Sequence, residues 1–478
     1  MIFNSLEFLF FLPIVFALYW LLNNKRLVIQ NALLLIASYY FYQCWDYRFL
    51  FLLVFSTLLD YVSGIKIEEA NNIKNKKIWF WLSISFNLGF LGVFKYYNFF
   101  AESFTDLLVG IGFKVDLWTL KVILPVGISF YTFHGLSYII DIYNGRIKAT
   151  RNFIDYSVFV SFFPLLVAGP IERATHLLPQ IQKKRKFDFQ LAADGMRQIL
   201  WGLFKKMVIA DNCATYVNDY FDHPGDVSGD KLMIGAIFFA FQIYGDFSGY
   251  SDIALGTAKL FGIRLLKNFA FPYFSRDISE FWRRWHISLS SWFRDYLYFP
   301  LGGSKLGKKR AIINTLIIFT VSGFWHGANW TFIAWGVANA LLFIPLLVFD
   351  LNRINIDTIG ENRRFPLITD LLKMGITFFI VCLLWVLFRS DNLNQAFQIY
   401  SGIFSKDVIW APFWILYKKP FYFILVMLLF EWFNRSKDHG LQIDGIKSTA
   451  LRWVAYLFIL HFIFIYGAKS QEFIYFQF

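Results

Sequence analysis

Two histidines sit in tryptophan-rich, otherwise apolar sequence: His286 in FWRRWHISLSSWFRDYLYFPLGG and His326 in SGFWHGANWTFIAWG. The second falls where local composition predicts a membrane span. An ionisable side chain at membrane depth is costly and is usually kept for chemistry, a proton path or a bound ligand. Imidazole is also the side chain best matched to proton transfer near neutral pH. Together the two residues point to proton-transfer chemistry near the middle of a bilayer. Ser322, Gly323, Gly327 and Asn329 surround His326. The small residues let a substrate or another helix come close, and Asn329 is placed to hydrogen-bond nearby. His326 is therefore the candidate general base for a hydroxyl nucleophile, and His286 is the second catalytic candidate.

The elements that must hold these side chains are legible from composition. The chain has 478 residues, 57% hydrophobic and 21% aromatic, with only 17% charged, where a soluble domain carries about 25%. Apolar residues come in long runs rather than helical stripes, and mean hydropathy is +0.48. This describes an all-α, polytopic integral membrane protein. With roughly 20 apolar residues per span, candidates lie near 6–22, 27–43, 49–64, 78–97, 122–143, 153–169, 198–216, 231–262, 311–323, 324–349, 368–388, 419–434 and 451–468. Some are too short or broken, which leaves about 9 to 12 spans. Gly127, Gly169–Pro170 and Gly245–Gly249 are expected to interrupt three of them. Such breaks survive at membrane depth only where protein or a water-filled cavity satisfies the freed backbone.

The first run has no basic residue ahead of it and no small-x-small site closing it, so it reads as a retained span rather than a secretory signal. Cys44, Cys213 and Cys382 are far apart and read as packing residues. The net charge of +13 fits lysine- and arginine-rich cytoplasmic loops, and no basic soluble domain suggests nucleic acid as a partner. Lys25 and Arg26, then Lys66, Lys74, Lys76 and Lys77, place loops one and three in the cytoplasm, with the N-terminus outside. The clusters Lys183–Lys186 and Lys308–Arg310 belong on the cytoplasmic side too.

Between Arg276 and Tyr298, Phe281, Trp285, Leu289, Trp292, Phe293 and Tyr296 recur near helical spacing, interleaved with Arg283, Arg284, Arg294 and Asp295. That pattern predicts an amphipathic helix, interfacial or re-entrant. Lys309 to His326 is 17 residues, roughly 25 Å of helix. His326 should thus lie deep, towards the outer leaflet, and His286 nearer the cytoplasmic face. No internal repeat stands out, and residues 1–478 read as one membrane domain.

Other polar groups have two readings each. Asp246 and Asp252 in AFQIYGDFSGYSDIALG, and Asp141 at the end of another apolar run, are either cap or buried-pair residues, or part of a hydrated path that orients a histidine or binds a polar substrate group. His134 and His461 read as packing histidines, whereas His176, His223 and His439 read as solvated loop residues. The segment GGSKLGKK from Gly302 approaches a phosphate-binding loop but lacks its hydroxyl residue and its preceding strand. No HExxH or other metal-ligand spacing occurs, and no tightly bound cofactor is expected.

The segments DFSGYSDIALGTAKLFGI, FWRRWHISLSSWFRDYLYFPLGG and SGFWHGANWTFIAWG together resemble the membrane-bound O-acyltransferases. Within that family they are most similar to the bacterial branch with alginate O-acetylase and the peptidoglycan O-acetyltransferase membrane subunit. LPVGISFYTFHGLSYIIDIY, FFPLLVAGPIERATHLLPQ, GLFKKMVIADNCA and the terminal FIYFQF extend the likeness over nearly the whole chain. The resemblance implies a multi-helix fold with a tunnel through a thinned membrane region. It also implies that His326 corresponds to the family's principal histidine and His286 to its second.

It implies, further, a multi-pass protein of the bacterial cytoplasmic (inner) membrane. An acetyl group would pass from a cytoplasmic donor, acetyl-CoA, to an extracytoplasmic polysaccharide, with a separate SGNH-type acetyltransferase outside completing the transfer. Candidate substrate-binding residues are then Trp325, Asn329, Ser322, Asp246 and Asp252, with Arg283 and Arg284 reaching either lipid phosphates or those of a nucleotide-bearing donor. Two competing readings are an acyltransferase with another acceptor (teichoic acid D-alanylation, a protein or a lipid) and a membrane transporter. Intramembrane carboxylates and glycine-broken helices suit the transporter, but the missing internal repeat argues against it.

Overall fold

The computed structural model describes residues 1–478 except 115–118, 121–122, 167–168, 361–362, 364, 406–416, 470 and 475–478. Among the described residues every regular element is helical. Six helices are long and apolar enough to cross a membrane: Tyr47–Glu69, Ile73–Gly110, Gly229–Leu260, Trp330–Val348, Ile368–Arg389 and Thr449–Tyr466. That is fewer than the hydropathy runs suggest, because several runs fold into shorter helices such as Leu6–Leu21 and Phe153–Leu166. The protein is a multi-pass, all-α membrane protein, and its chain forms two compact units.

The first unit comprises Met1–Ala192 and Ala258–Leu266. It contains α1 (Leu6–Leu21), α2 (Leu27–Gln43), α3 (Tyr47–Glu69), α4 (Ile73–Leu91), α5 (Tyr97–Gly110), α6 (Ile128–Tyr143), α7 (Phe153–Ser161), α8 (Phe163–Leu166) and α9 (Ala174–Ile181). Ser5, Asp46, Asn72 and Asn152 start α1, α3, α4 and α7, each accepting a hydrogen bond from a first-turn N–H. α6 begins at Gly127, whose φ is +73° and where a Cβ would strike the Leu166 carbonyl. The break expected there is real and demands glycine.

Nearly every side chain of α6 is buried, which is why it shows no amphipathic stripe. Asp60 of α3 accepts hydrogen bonds from Ser83 (2.6 Å) and Asn87 (2.8 Å) of α4, and Gly135 of α6 leaves room for its carboxylate. In a bilayer such bonds and small residues associate helices where the hydrophobic effect cannot. His134 has the packing role expected of it: its Nε2 accepts the Glu172 N–H at 3.2 Å. Three loop readings need correction, one of them in the second unit, where His439 is buried with its Nε2 3.1 Å from Asp194. His176 opens α9 and pairs with buried Glu172 at 2.8 Å, which raises its pKa above the ordinary imidazole value. Arg185, inside the basic run 183–186, is buried and donates to the Ile181 carbonyl (2.9 Å) and to Asn31.

The second unit comprises Ala193–Thr257 and Lys267–Phe478. α10 (Phe189–Phe204) runs through a π-helical turn, Lys205–Ala210, into α11 (Asp211–Phe221), and α12 spans Gly229–Leu260. Then come α13 (Ile278–Arg284), α14 (Ile287–Phe293), α15 (Lys308–His326), α16 (Trp330–Val348), α17 (Ile368–Arg389), α18 (Leu393–Ile403), α19 (Lys418–Phe433) and α20 (Thr449–Tyr466). Cys213 and Cys382 are buried as expected, but Cys44, in the first unit, is exposed at the end of α2.

Gly245 and Gly249 do not interrupt α12, which continues unbroken through both. Their role is close approach. A Cβ on Gly249 would lie 2.8 Å from the Gly202 carbonyl oxygen, and one on Gly245 would lie 2.9 Å from that of Lys205. Helices in lipid associate through such small-residue faces. Gly249→Val should therefore destabilise the protein by about 1–3 kcal/mol, read as a lowered thermal midpoint in detergent. Gly225→Ala, which meets nothing within 4 Å, should leave it unchanged. An unaltered midpoint in Gly249→Val would contradict this packing.

Candidate active site: two imidazoles in an aromatic box

The stretch from Arg276 to Tyr298 is not one amphipathic helix. It folds as α13, a break at Trp285–His286, α14, and a π-helical turn at Arg294–Tyr298. Asp277 caps α13 by accepting the Glu280 N–H at 2.8 Å, and buried Glu280 accepts the Arg276 N–H at 2.8 Å. His286 adopts φ +45°, ψ +52°, a left-handed conformation costing a non-glycine residue about 1–2 kcal/mol. Such strain persists only where the surroundings over-determine it. Here Ala270 N–H donates to the Arg284 carbonyl (3.0 Å) and Ile287 N–H to the Asn268 carbonyl (2.9 Å).

The Asn268 side chain completes the clamp. Its Oδ1 accepts from Ser288 Oγ (2.9 Å) and faces His286 Nδ1 (3.0 Å), while its Nδ2 donates to Ser251 Oγ (3.1 Å). An oxygen facing Nδ1 requires the proton on that nitrogen, leaving the lone pair on Nε2. Nothing in the sequence singled out Asn268. Its one signal is a polar residue in LLKNFAF, just ahead of the RRWH motif.

α15 carries His326 on its last residue and ends at Gly327, whose conformation is extended. It packs against α16 at backbone distance: a Cβ on Gly323 would strike the Phe332 carbonyl, and one on Gly336 that of Phe319. This hairpin and the break before α14 bring the two imidazoles together, with ring centroids 6.2 Å apart. Whatever their order along the bilayer normal, the two rings differ in depth by no more than this distance. Both are almost fully buried, at 1% and 3% exposure. Trp325 (4.9 Å), Trp335 (5.3 Å) and Phe388 (5.3 Å) surround His326, and Phe247 meets His286 edge-on at 4.7 Å. Trp385 stacks on Trp335 and joins Trp285, closing an aromatic box.

The other sequence candidates separate. Trp325 lies against both histidine rings. Asn329 caps α16, accepting the Thr331 N–H (3.0 Å) and donating to the Asp391 carbonyl (2.7 Å). Ser322, one turn before His326, lines a crevice along α15. Arg284 is held by Glu280 at 2.7 Å and by the Ala270 and Asp357 carbonyls. Arg276, also on Glu280, holds the Asp357 carboxyl below its ordinary pKa. Arg283 binds the Asn352 and Asn355 carbonyls and faces a cleft.

Asp246 and Asp252 form buried ion pairs, Asp246 with Lys206 (2.8 Å) and Asp252 with Lys205 (2.6 Å). Lys206 also pairs with Asp211 at 2.7 Å, and Tyr244 donates to buried Glu431 at 2.8 Å. Sequence reading missed Lys205, Lys206 and Glu431 as buried charges, although each stands in a strongly apolar run. Of the terminal FIYFQF, Phe473 packs on Tyr250 (4.3 Å) and Ile474 N–H donates to Asp246 (2.7 Å). Its last four residues lie outside the described residues. No group of three or more His, Cys, Asp and Glu side chains is placed to hold a metal among the described residues.

Fold and site define a polytopic helical membrane protein with two buried imidazoles in one aromatic box. The model of the membrane-bound O-acyltransferase family matches residues 145–368. A probable alginate O-acetylase of Pseudomonas putida is 40% identical over 407 residues, 85% of this chain and 80% of that protein. The peptidoglycan O-acetyltransferase of Helicobacter pylori is 32% identical, covering 100% of this chain and 98% of its own length. A teichoic acid D-alanyltransferase of Bacillus subtilis is 29% identical over 56% of this chain and 70% of its own length. The chain belongs to the membrane-bound O-acyltransferase family, and it is an acyltransferase.

Asn268→Ala removes the acceptor that orients His286, a hydrogen bond worth about 10- to 100-fold in rate. Acyl turnover should fall by that factor while KM for the donor stays within about twofold. Full kcat in this variant would show that the clamp does not matter for chemistry.

Proposed function

We propose that this protein transfers an acetyl group from acetyl-CoA, bound from the cytoplasm, towards the hydroxyls of an extracytoplasmic polysaccharide, with His326 as general base. The observation that carries the reading is the 6.2 Å approach of two buried imidazoles. The relatives aligned over most of the chain support acetyl as the group, since their names specify O-acetylation. The D-alanyltransferase aligns over a smaller part.

A thioester already carries the driving force, so the protein must align donor and acceptor and manage one proton. The acceptor oxygen attacks the thioester carbonyl while His326 takes its proton. The tetrahedral adduct collapses, the C–S bond breaks, and the imidazolium returns the proton to the departing thiolate. General-base action of this kind contributes about 10²- to 10⁴-fold, and alignment within a narrow site supplies more. His286, with its lone pair on Nε2, orients the thioester or assists that proton. The aromatic walls exclude water, which would otherwise compete as acceptor. The acetyl group passes to the polysaccharide itself or to a periplasmic or extracellular SGNH-type acetyltransferase that completes the transfer. We place the protein in the bacterial cytoplasmic membrane.

The test is CoA release from acetyl-CoA by the full chain in nanodiscs, with glycan oligomers and the extracellular partner supplied. His326→Ala should lower turnover by about 10²- to 10⁴-fold without loss of membrane insertion, and His286→Ala should lower it as well. Turnover retained in His326→Ala would sink the assignment. No CoA release from wild type would exclude acetyl-CoA as the donor.

A further inference from the structure

Beside α13 and α14 lies a cleft of about 460 Å³, and a crevice of about 290 Å³ continues from it between α15 and α16. The two share Trp282, Ser290, Arg294, Phe343 and Asn352 as walls. The mouth and the interior differ in chemistry. Arg283, Arg294 and Arg353 line the mouth; no described residue lining either cavity is acidic, although Asp295, outside the lining, pairs with Arg294 at 2.9 Å. Arg283 spends its guanidinium on Ser279 Oγ (2.6 Å) and on the Asn352 (2.8 Å) and Asn355 (2.6 Å) carbonyls. That anchors the loop carrying Arg353, which is exposed and has no ion pair among the described residues. The crevice is instead apolar, with Ile318, Phe319, Phe343 and Leu347 leading to Ser322. From Thr315 to Ser322 it follows two turns of α15, about 10 Å.

Its position in the membrane is set by the helix ends. α16 is long and apolar enough to span, and α15 begins with Lys308, Lys309 and Arg310. Lys308 donates to the Val348 carbonyl (3.1 Å) and to Asp350 (2.6 Å), so α15 starts where α16 stops. The arginine mouth therefore lies at head-group depth and the crevice runs into the hydrocarbon layer. A basic mouth on an apolar crevice beside a helix able to span is complementary to an anionic amphiphile.

We propose that this cleft binds an anionic phospholipid, its phosphate on Arg294 and Arg353, beside the loop that Arg283 anchors, and one acyl chain along the α15–α16 crevice. The bound lipid would brace the elements that carry His286 and His326 without reaching either ring, since neither histidine lines the cleft. This does not depend on the identity of the acyl donor. That donor also carries phosphates, and the competing assignment of the arginines to it is separated below.

The experiment is native mass spectrometry of the full chain released from phosphatidylcholine nanodiscs containing phosphatidylglycerol. Wild type should retain phosphatidylglycerol. Arg294→Gln with Arg353→Gln should weaken retention by about tenfold or more, the effect expected for two lost head-group contacts. Leu347→Trp, which fills the crevice and leaves the charges, should weaken it as well. Lys183→Gln with Lys184→Gln, which removes two exposed charges elsewhere, should not. Elution profiles of all variants check folding. Equal losses in the lysine control and the arginine pair, or full retention in Leu347→Trp, would reduce the effect to surface charge and overturn the proposal. Coenzyme A that displaces the lipid, with affinity lost in the arginine pair, would assign the mouth to nucleotide phosphates and overturn it too.

Discussion

The Asn268 amide beneath the left-handed turn at His286 is the interaction on which the site depends. Without the break at Trp285–His286, α13 and α14 would continue as one helix, and the imidazole would follow the helix face rather than meet α15. Asn268 holds the turn by its backbone carbonyl and its side chain at once, at Ile287 N–H, Ser288 Oγ and His286 Nδ1. The strain of the left-handed residue is offset by these bonds and by the rings packed around it. The other half comes from glycine: Gly323 and Gly336 let α15 and α16 touch through backbone, which places His326 against Trp335 and Phe388.

Around this centre the second unit resolves its polar groups by pairing. Lysines 205 and 206 emerge from a π-helical turn and meet Asp252, Asp246 and Asp211, and Glu431 is held by Tyr244. Removing one partner of such a buried pair is costlier than never having had it. The cluster also receives the chain near its C-terminus, through Lys206 Nζ on the Gln471 carbonyl (3.0 Å) and the Ile474 N–H on Asp246. Phe473 lies near Phe247, the ring that meets His286. The ionic cluster and the imidazoles are thus connected by packing, and a helix of 32 residues links them.

Much of this was legible in the sequence, and the failures have physical causes. Helical membrane architecture follows from composition, and both histidines stood out by their cost in apolar sequence. Their contact did not, because 40 residues separate them and it depends on a positive φ that no periodicity signals. The spacing from Phe281 to Tyr296 imitates a single amphipathic helix, since two short helices joined by one left-handed residue keep similar periodicity. Gly127 behaves as a break but Gly245 and Gly249 do not. Glycine serves both turns and close helix packing, and only the partner's backbone decides between them. Arg185 was read by charge alone and the lysine pair was not read at all, although a buried carboxamide or carboxylate waits for each.

The central claim is that His286 and His326 act as one unit, and a double-mutant cycle on acyl turnover tests it most directly. Groups that act together are strongly non-additive, whereas independent ones add. The account predicts that His286→Ala with His326→Ala turns over no more slowly than His326→Ala alone. Losses that multiply, so that the double variant shows the product of the two single effects, would mean that the imidazoles serve separate functions.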